Sequence, residues 1–191
     1  MNKALAAVII AGMATMWSGA HATEPDSTKT QPIKLGFGVP LSGEAADFGT
    51  MFKAGVDAVI LQTNAAGGIK GRPIQPLWED DACDPRQAVA IANRLVAQKV
   101  LIATHICDAA SQAAMPIYTD EGIMFTSITK RKEIVGNGHD LVAQLMYSHQ
   151  DMVKLIVEQL KNNHAKARIA LLATADLYGQ GFAVQVKQAL A

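Results

Sequence analysis

The side chains best suited to chemistry are concentrated in two short segments of this chain, residues 79–85 and 104–108. They comprise acidic residues, a histidine and the only two cysteines of the sequence: Asp80, Asp81, Cys83, Asp84, His105, Cys107 and Asp108. Such side chains can form a disulfide, bind a hard cation or supply the groups of a hydrolytic site. Which of these they do depends on the elements that position them.

The two cysteines are expected at neighbouring corners between a strand and a helix. An apolar run at residues 100–103 precedes Cys107, and apolar residues at helical spacing follow Cys83. Cysteines at neighbouring corners of one sheet lie within reach of a disulfide, which persists in an oxidising compartment. Closing this loop of 24 positions would stabilise the fold by roughly 3 to 3.5 kcal/mol. The alternative is a pair of buried free thiols.

The N-terminus predicts such a compartment. One positive charge precedes an apolar run over residues 4–17, and Ala20-His21-Ala22 fits the small-x-small pattern of a cleavage site. The run ends too early for a membrane anchor, which needs about 20 apolar residues. We therefore predict a cleavable signal peptide at residues 1–22 and a periplasmic location. The polar residues 23–31 are predicted to be a disordered start of the mature chain.

Composition narrows the classes of partner. The 17 basic and 17 acidic residues give a formal net charge of zero. No excess charge favours nucleic acid or an anionic membrane surface as a partner. With 191 residues and 50% hydrophobic content, the chain is long enough for one good core and short for two.

Strand and helix patterns alternate along the chain. Helix starts are marked by Asp84 before Pro85, and by the capping box of Ser148 and Asp151. This alternation predicts an α/β fold, a doubly wound parallel sheet covered by helices on both faces. Ligands of such sheets bind beyond the carboxyl ends of the strands. The predicted strands are Ile33–Val39, Pro73–Trp78, Val100–Ile106, Ile123–Ile128, Leu141–Met146 and Ile169–Ala173.

Several kinds of site are disfavoured by the same pattern. The glycines of residues 36–38 lie inside a strand rather than in a strand-to-helix turn, so they do not form a dinucleotide fingerprint. Adjacent Asp80 and Asp81 would point to opposite faces of a strand, which disfavours a metal site. No Gly-x-Ser-x-Gly elbow surrounds Ser42, which disfavours a hydrolase that uses Ser42 with His105 and an acid. We expect neither a metal nor a cofactor.

Six blocks of the sequence carry a family resemblance, and the most specific is Asp-Asp-Ala-Cys-Asp-Pro at residues 80–85. The blocks are residues 33–48, 65–71, 80–89, 105–107, 117–123 and 178–181. Together they resemble the leucine/isoleucine/valine-binding proteins of bacterial branched-chain amino-acid ABC importers, from about residue 32 to the C-terminus. The resemblance implies a type I periplasmic binding protein, in which two doubly wound lobes enclose an amino acid. It also implies a disulfide between Cys83 and Cys107.

The resemblance assigns ligand-binding positions to both lobes. Phe48 aligns with the family's aromatic residue that packs on the ligand side chain, and Tyr178 aligns with a tyrosine that lines the cleft from the second lobe. The helix that begins at Asp108 and Ala109 is where the family holds the ligand carboxylate, with a serine and backbone N–H groups. Asp108 replaces that serine.

A second departure lies in the loop after the fourth strand. Thr129 occupies the position whose carbonyl accepts from the ligand ammonium, and Arg131 replaces a threonine that binds the carboxylate. In one interpretation Arg131 binds a carboxylate while Asp108 receives an ammonium or orients Arg131. In the other, Asp108 caps its helix, Arg131 points to solvent, and the site has lost or changed its ligand.

The resemblance also predicts the organisation and the role of the chain. It implies a first ligand-binding lobe at residues 32–146 and an incomplete second lobe at 147–191, because family members are roughly twice as long. We expect the front half of a non-enzymatic solute receptor, either a truncated product or an incomplete record. Its ligand would be an amino acid or a related small molecule, and its partner an inner-membrane ABC permease. The alternatives are a ligand-sensing periplasmic domain and a small exported α/β hydrolase.

Overall fold

The computed structural model describes residues 31–131 and 140–190 of the chain. The predicted signal peptide and nearly all of the predicted disordered segment lie outside these residues. Within the described part, no helix has the length and apolar character needed to cross a bilayer. The elements in chain order are β1 (Ile33–Val39), α1 (Ala46–Ala65), β2 (Ile74–Asp80), α2 (Pro85–Ala97), β3 (Ile102–His105), α3 (Asp108–Asp120), β4 (Met124–Ser127), β5 (Val142–Gln144), α4 (His149–His164) and α5 (Leu177–Leu190).

Five of these elements form one parallel sheet in the order β2-β1-β3-β4-β5. In its register Phe37 of β1 lies opposite Trp78 of β2 on one side and Thr104 of β3 on the other. The strand order reverses at β1, so the loops after β1 and β3 diverge there and leave a crevice. The predicted α/β class with a doubly wound parallel sheet is confirmed.

Helices cover both faces of the sheet, as a parallel sheet joined by crossover helices requires. On one face α1 packs Ile60 against Phe37 and Val39 of β1. On the other face α2 and α3 form a larger core around Leu95 and Phe125. The sheet is therefore held rigidly beneath the loops at its carboxyl ends.

The predicted helix boundaries have the expected local causes. Asp84 is the N-cap of α2, where its Oδ1 accepts from the backbone N–H groups of Arg86 at 2.7 Å and Gln87 at 3.0 Å. At the start of α4, Ser148 and Asp151 form the predicted capping box. Gly67, at φ 98°, takes the left-handed conformation that ends α1.

The strand predicted at Ile169–Ala173 is wrong. The described chain has no regular structure there, and Leu172 is 98% exposed. An isolated strand needs a neighbour for its backbone hydrogen bonds, and no strand of the described residues runs beside this segment. The flanking helices α4 and α5 instead pack on each other, through Val153, Val157 and Val186.

Candidate ligand-binding cleft

A cleft of about 490 Å³ lies at the carboxyl ends of β1, β3 and β4, at the crevice where the strand order reverses. This is the place where open parallel sheets bind ligands. A hollow of about 860 Å³ between α4 and α5 is larger, but it is wide open and lined mainly by long polar side chains. The cleft is lined by Ala45, Phe48, Cys83, Ile106, Cys107, Asp108, Ala109, Ile128, Lys130, Met146, Asp176, Leu177 and Tyr178.

The floor of the cleft contains one nearly buried carboxylate. Asp108 is the first residue of α3 and is 8% exposed. Its Oδ1 accepts a hydrogen bond from the Thr129 hydroxyl. Its Oδ2 is buried and has no hydrogen-bond partner within the described part of the chain. The interpretation that Asp108 caps its helix is wrong, since the N-cap is Cys107 and α3 has no side-chain capping hydrogen bond from the described residues.

Thr129 supports the floor from the loop after β4. Its side chain is buried, and its hydroxyl accepts from the backbone N–H of Arg131 at 3.3 Å while it donates to Asp108. The Thr129 carbonyl accepts from Nε2 of Gln144 at 2.6 Å. Thr129 therefore orients Asp108 from behind and does not line the cleft.

Lys130 is the basic residue that lines the cleft. Its Nζ donates to the Tyr178 hydroxyl at 3.2 Å and lies 4.9 Å from the Tyr147 ring centroid and 5.4 Å from that of Tyr178. Burial by itself would lower the pKa of Lys130, but its interactions with the two tyrosines outweigh burial and raise it. Lys130 therefore carries a full positive charge at neutral pH. Arg131 is half-buried and does not line the cleft, and its predicted pairing with Asp108 stays a prediction.

The walls bring together residues from α1, α3 and α5 and from the loops between the elements. Phe48 of α1 is 44% exposed, and Tyr178 of α5 is 38% exposed. Tyr178 is held by an edge-on contact with the His149 ring, at 4.9 Å between centroids. Of the six predicted ligand-binding residues, the structure thus places Phe48, Asp108, Ala109 and Tyr178 around one cleft, with Thr129 behind it.

The predicted disulfide between Cys83 and Cys107 is present, with 5.4 Å between the Cα atoms. It joins the loop after β2 to the start of α3 and forms part of the cleft wall. Ala82 and Cys83 have positive φ values of 46° and 58°, which are uncommon for residues with a side chain. Their N–H groups donate to the carboxylates of the two preceding aspartates, at 3.0 Å and 2.9 Å, which holds this turn in place.

A buried polar network beneath the cleft was not predicted. His105 lies between Asp81 and Tyr118, with Nδ1 2.8 Å from Asp81 Oδ2 and Nε2 3.1 Å from the Tyr118 hydroxyl. All three residues have no exposed surface. Burial and the neighbouring Asp81 carboxylate raise the pKa of Tyr118 above its usual range. Gly38 makes the network possible, because a Cβ there would lie 2.0 Å from the His105 ring.

This network separates the residues of the candidate hydrolytic site. Both ring nitrogens of His105 are engaged with Asp81 and Tyr118, and neither contacts Ser42. Ser42 instead donates its backbone N–H to Asp80 Oδ1 at 3.3 Å. The signal that sequence reasoning missed was the glycine opposite His105 in the strand register.

Several known proteins are similar to this chain in sequence. The family model described as periplasmic binding protein matches residues 32–191. A leucine-, isoleucine-, valine-, threonine- and alanine-binding protein of Pseudomonas aeruginosa is 34% identical over 194 aligned positions, which cover 98% of this chain and 48% of that protein. A Leu/Ile/Val-binding protein of Escherichia coli strain K12 is 34% identical over 166 positions, 84% of this chain and 44% of that protein.

Solved structures agree with the fold. The substrate-binding protein of a branched-chain amino acid transporter from Streptococcus pneumoniae, in complex with isoleucine, superposes with a TM-score of 0.71 at 24% identity. The alignment covers 83% of this chain and 46% of that one. A leucine-binding protein from Thermotoga maritima gives a TM-score of 0.73 at 16% identity, over 83% of this chain and 45% of that one.

The sequence matches and the shared parallel α/β fold point to the same family. The chain belongs to the periplasmic binding protein family. It spans about half the length of the curated relatives it matches.

Proposed function

We propose that this chain is part of an exported solute-binding component of an ABC importer for amino acids of the branched-chain type. The observation that carries this proposal is the cleft at the reversal point of the sheet, with an aromatic residue on each side. Phe48 and Ile128 offer an apolar surface for an aliphatic side chain, while Asp108 and Lys130 offer charges for its polar end. The names of curated relatives at 34% identity support the same ligand class.

In this proposal residues 32–146 form the first lobe and residues 147–191 begin the second. The ligand enters between them, the lobes close, and the loaded receptor meets an ABC permease in the inner membrane. The chain is placed in the periplasm by a signal peptide at residues 1–22 and acts without a cofactor and without catalysis.

Binding can be tested on the mature chain, residues 23–191. We expect leucine, isoleucine and valine to shift the backbone amide signals of Phe48, Ala109 and Ile128 in a ¹H–¹⁵N NMR titration. The dissociation constant should be weaker than about 10 μM, because an open cleft leaves the polar ends of the ligand in water, where each hydrogen bond nets only about 0.5 to 1.5 kcal/mol. Shifts confined to other surfaces, or none at tens of millimolar ligand, would contradict the proposal.

The Phe48→Ala variant tests the contribution of the aromatic wall to leucine binding. It removes the aromatic wall and should weaken leucine binding by about three- to tenfold, since a half-exposed ring loses part of the 1.5–3 kcal/mol of a fully buried one. Met51→Ala is the control, because Met51 lies on the same helix, is 67% exposed and does not line the cleft. Equal effects of the two substitutions would remove Phe48 from the site.

A further inference from the structure

Asp108 lines the cleft and has a buried carboxylate oxygen without a hydrogen-bond partner among the described residues. Oδ1 is engaged by Thr129, whereas Oδ2 is buried without a hydrogen-bond partner in the described ranges. A buried carboxylate oxygen without a donor destabilises the protein, because it has lost its hydrogen bonds to water and gained none in return. A donor is therefore expected to arrive from the cleft.

Resting on the proposed function, we infer that the ligand places a primary ammonium group on Oδ2 of Asp108. An amino acid would then lie with its ammonium at the start of α3 and its carboxylate towards Lys130. This is the reverse of the polarity that a helix N-terminus alone would select, since bare N–H groups there attract anions.

The charges around the cleft support this polarity. Asp108 already supplies the negative charge that the N-terminus of α3 attracts, and a ligand carboxylate beside Oδ2 would be repelled by the charge of this nearly buried side chain. Lys130 is the cation among the cleft-lining residues, and Tyr178 offers its hydroxyl beside it. Both therefore suit the anionic end of the ligand.

A divalent cation fits this position less well than an ammonium group. Hard cations need six or more oxygen ligands. The other acidic residue of the lining is Asp176, whose Oδ1 already accepts from the Gly179 N–H at 2.8 Å and the Thr174 hydroxyl at 2.7 Å. The remaining lining is mostly apolar, which suits the aliphatic body of an amine.

Two analogues of leucine, each lacking one of its two charged groups, test the orientation of the ligand. Isopentylamine keeps the ammonium and the aliphatic chain, and isocaproate keeps the carboxylate and the same chain. In NMR titrations of the mature chain we expect isopentylamine to shift the amide signals of Ala109 and Thr129. Isocaproate should leave these signals in place and act near Lys130.

The Asp108→Asn variant preserves volume and removes the charge. It should weaken isopentylamine binding at least about tenfold, because a charge-assisted hydrogen bond is lost, and change isocaproate binding by less than about threefold. Asp47→Asn is the matched control, since it makes the same charge change at an exposed position that does not line the cleft. It should leave both affinities unchanged.

Three outcomes of these titrations test the inferred orientation of the ligand. Preferential shifts by isopentylamine at Ala109 and Thr129 support the inference, and this comparison needs no variant that has to fold. Isocaproate binding at the start of α3, with isopentylamine inert, overturns the orientation and leaves the proposed function intact. If leucine and both analogues fail to bind, the proposed function falls and the inference falls with it.

Discussion

At the scale of single residues, Gly38 has the clearest structural requirement. The absence of a side chain at this position lets His105 cross β1 and reach Asp81. We expect Gly38→Ala to destabilise the protein by at least about 2–3 kcal/mol, because the ring must move and leave buried polar groups unpaired. Urea denaturation monitored by circular dichroism measures the free energy of unfolding.

Gly55→Ala is the control for this substitution. A Cβ at Gly55, in the exposed part of α1, meets nothing within 4 Å. Alanine there should stabilise the protein by about 0.5–1 kcal/mol, through helix propensity alone. Similar losses in both variants would mean that the space around His105 is not what constrains Gly38.

The sequence predicted the residues of the cleft better than their roles. Phe48, Asp108 and Tyr178 were placed by their alignment with a family, and they do line one cleft. The alignment pointed to Arg131 as the cation, whereas Lys130 lines the cleft, because a loop without regular periodicity does not fix which way its side chains face. The bond from Thr129 to Asp108 joins two separate loops, and no local pattern predicts it.

At the scale of elements, Asp80 ties two loops to the end of β2. Its Oδ1 accepts from the N–H groups of Leu41 at 2.8 Å and Ala82 at 3.0 Å. Burial alone would raise the pKa of Asp80, but hydrogen bonds from the Ser42 side chain and these backbone groups lower it below 3.8. The carboxylate therefore holds together the segments that lead to Phe48 and to the disulfide.

The lowered pKa gives a prediction with a definite sign. The stability that Asp80 contributes is fully present above the pKa of the unfolded state, near 3.8, and is lost as the pH falls through the lower folded value. Asp80→Asn should cost about 1 kcal/mol at pH 7 and flatten the loss of stability as the pH falls below about 4. Urea titrations at several pH values measure both effects.

Ser42→Ala is an intermediate variant for this test. It removes one hydrogen bond to Asp80 and keeps the backbone donors, so its pH profile should lie between those of the wild type and Asp80→Asn. An Asp80→Asn protein that keeps the full acid sensitivity of the wild type would contradict the assignment.

Elements were predictable where local pattern and tertiary context agree. The apolar alternation of β1 and the Asp84–Pro85 start of α2 gave the correct boundaries. The segment 169–173 has the same apolar character as a strand, yet it forms none. A strand depends on a partner for its hydrogen bonds, whereas a capped helix satisfies most of its own.

At the scale of the whole molecule, the disulfide closes a loop that spans α2 and β3. We expect reduction to lower the free energy of unfolding by about 3.5 kcal/mol, from the added entropy of the unfolded chain. Urea denaturation with and without reductant measures the difference. Mass analysis should show the disulfide-bonded chain to be two hydrogens lighter than its reduced form.

A variant with serine at both positions controls for the reductant itself. Its stability should not respond to reduction, and it should match that of the reduced wild type to within about 1 kcal/mol. Two thiols that alkylate freely in undenatured protein from the periplasm would show that the bond is absent in the cell.

Two cysteines in 191 residues also determine how this bond is made during biogenesis. Within residues 1–191 they permit a single intramolecular pairing, so oxidation of this segment by itself cannot trap a scrambled isomer. For the export proposed above, this bond would need a thiol oxidase but no isomerase to correct a pairing within residues 1–191. The chain's maturation should be blocked in cells without the oxidase and unaffected in cells without the isomerase.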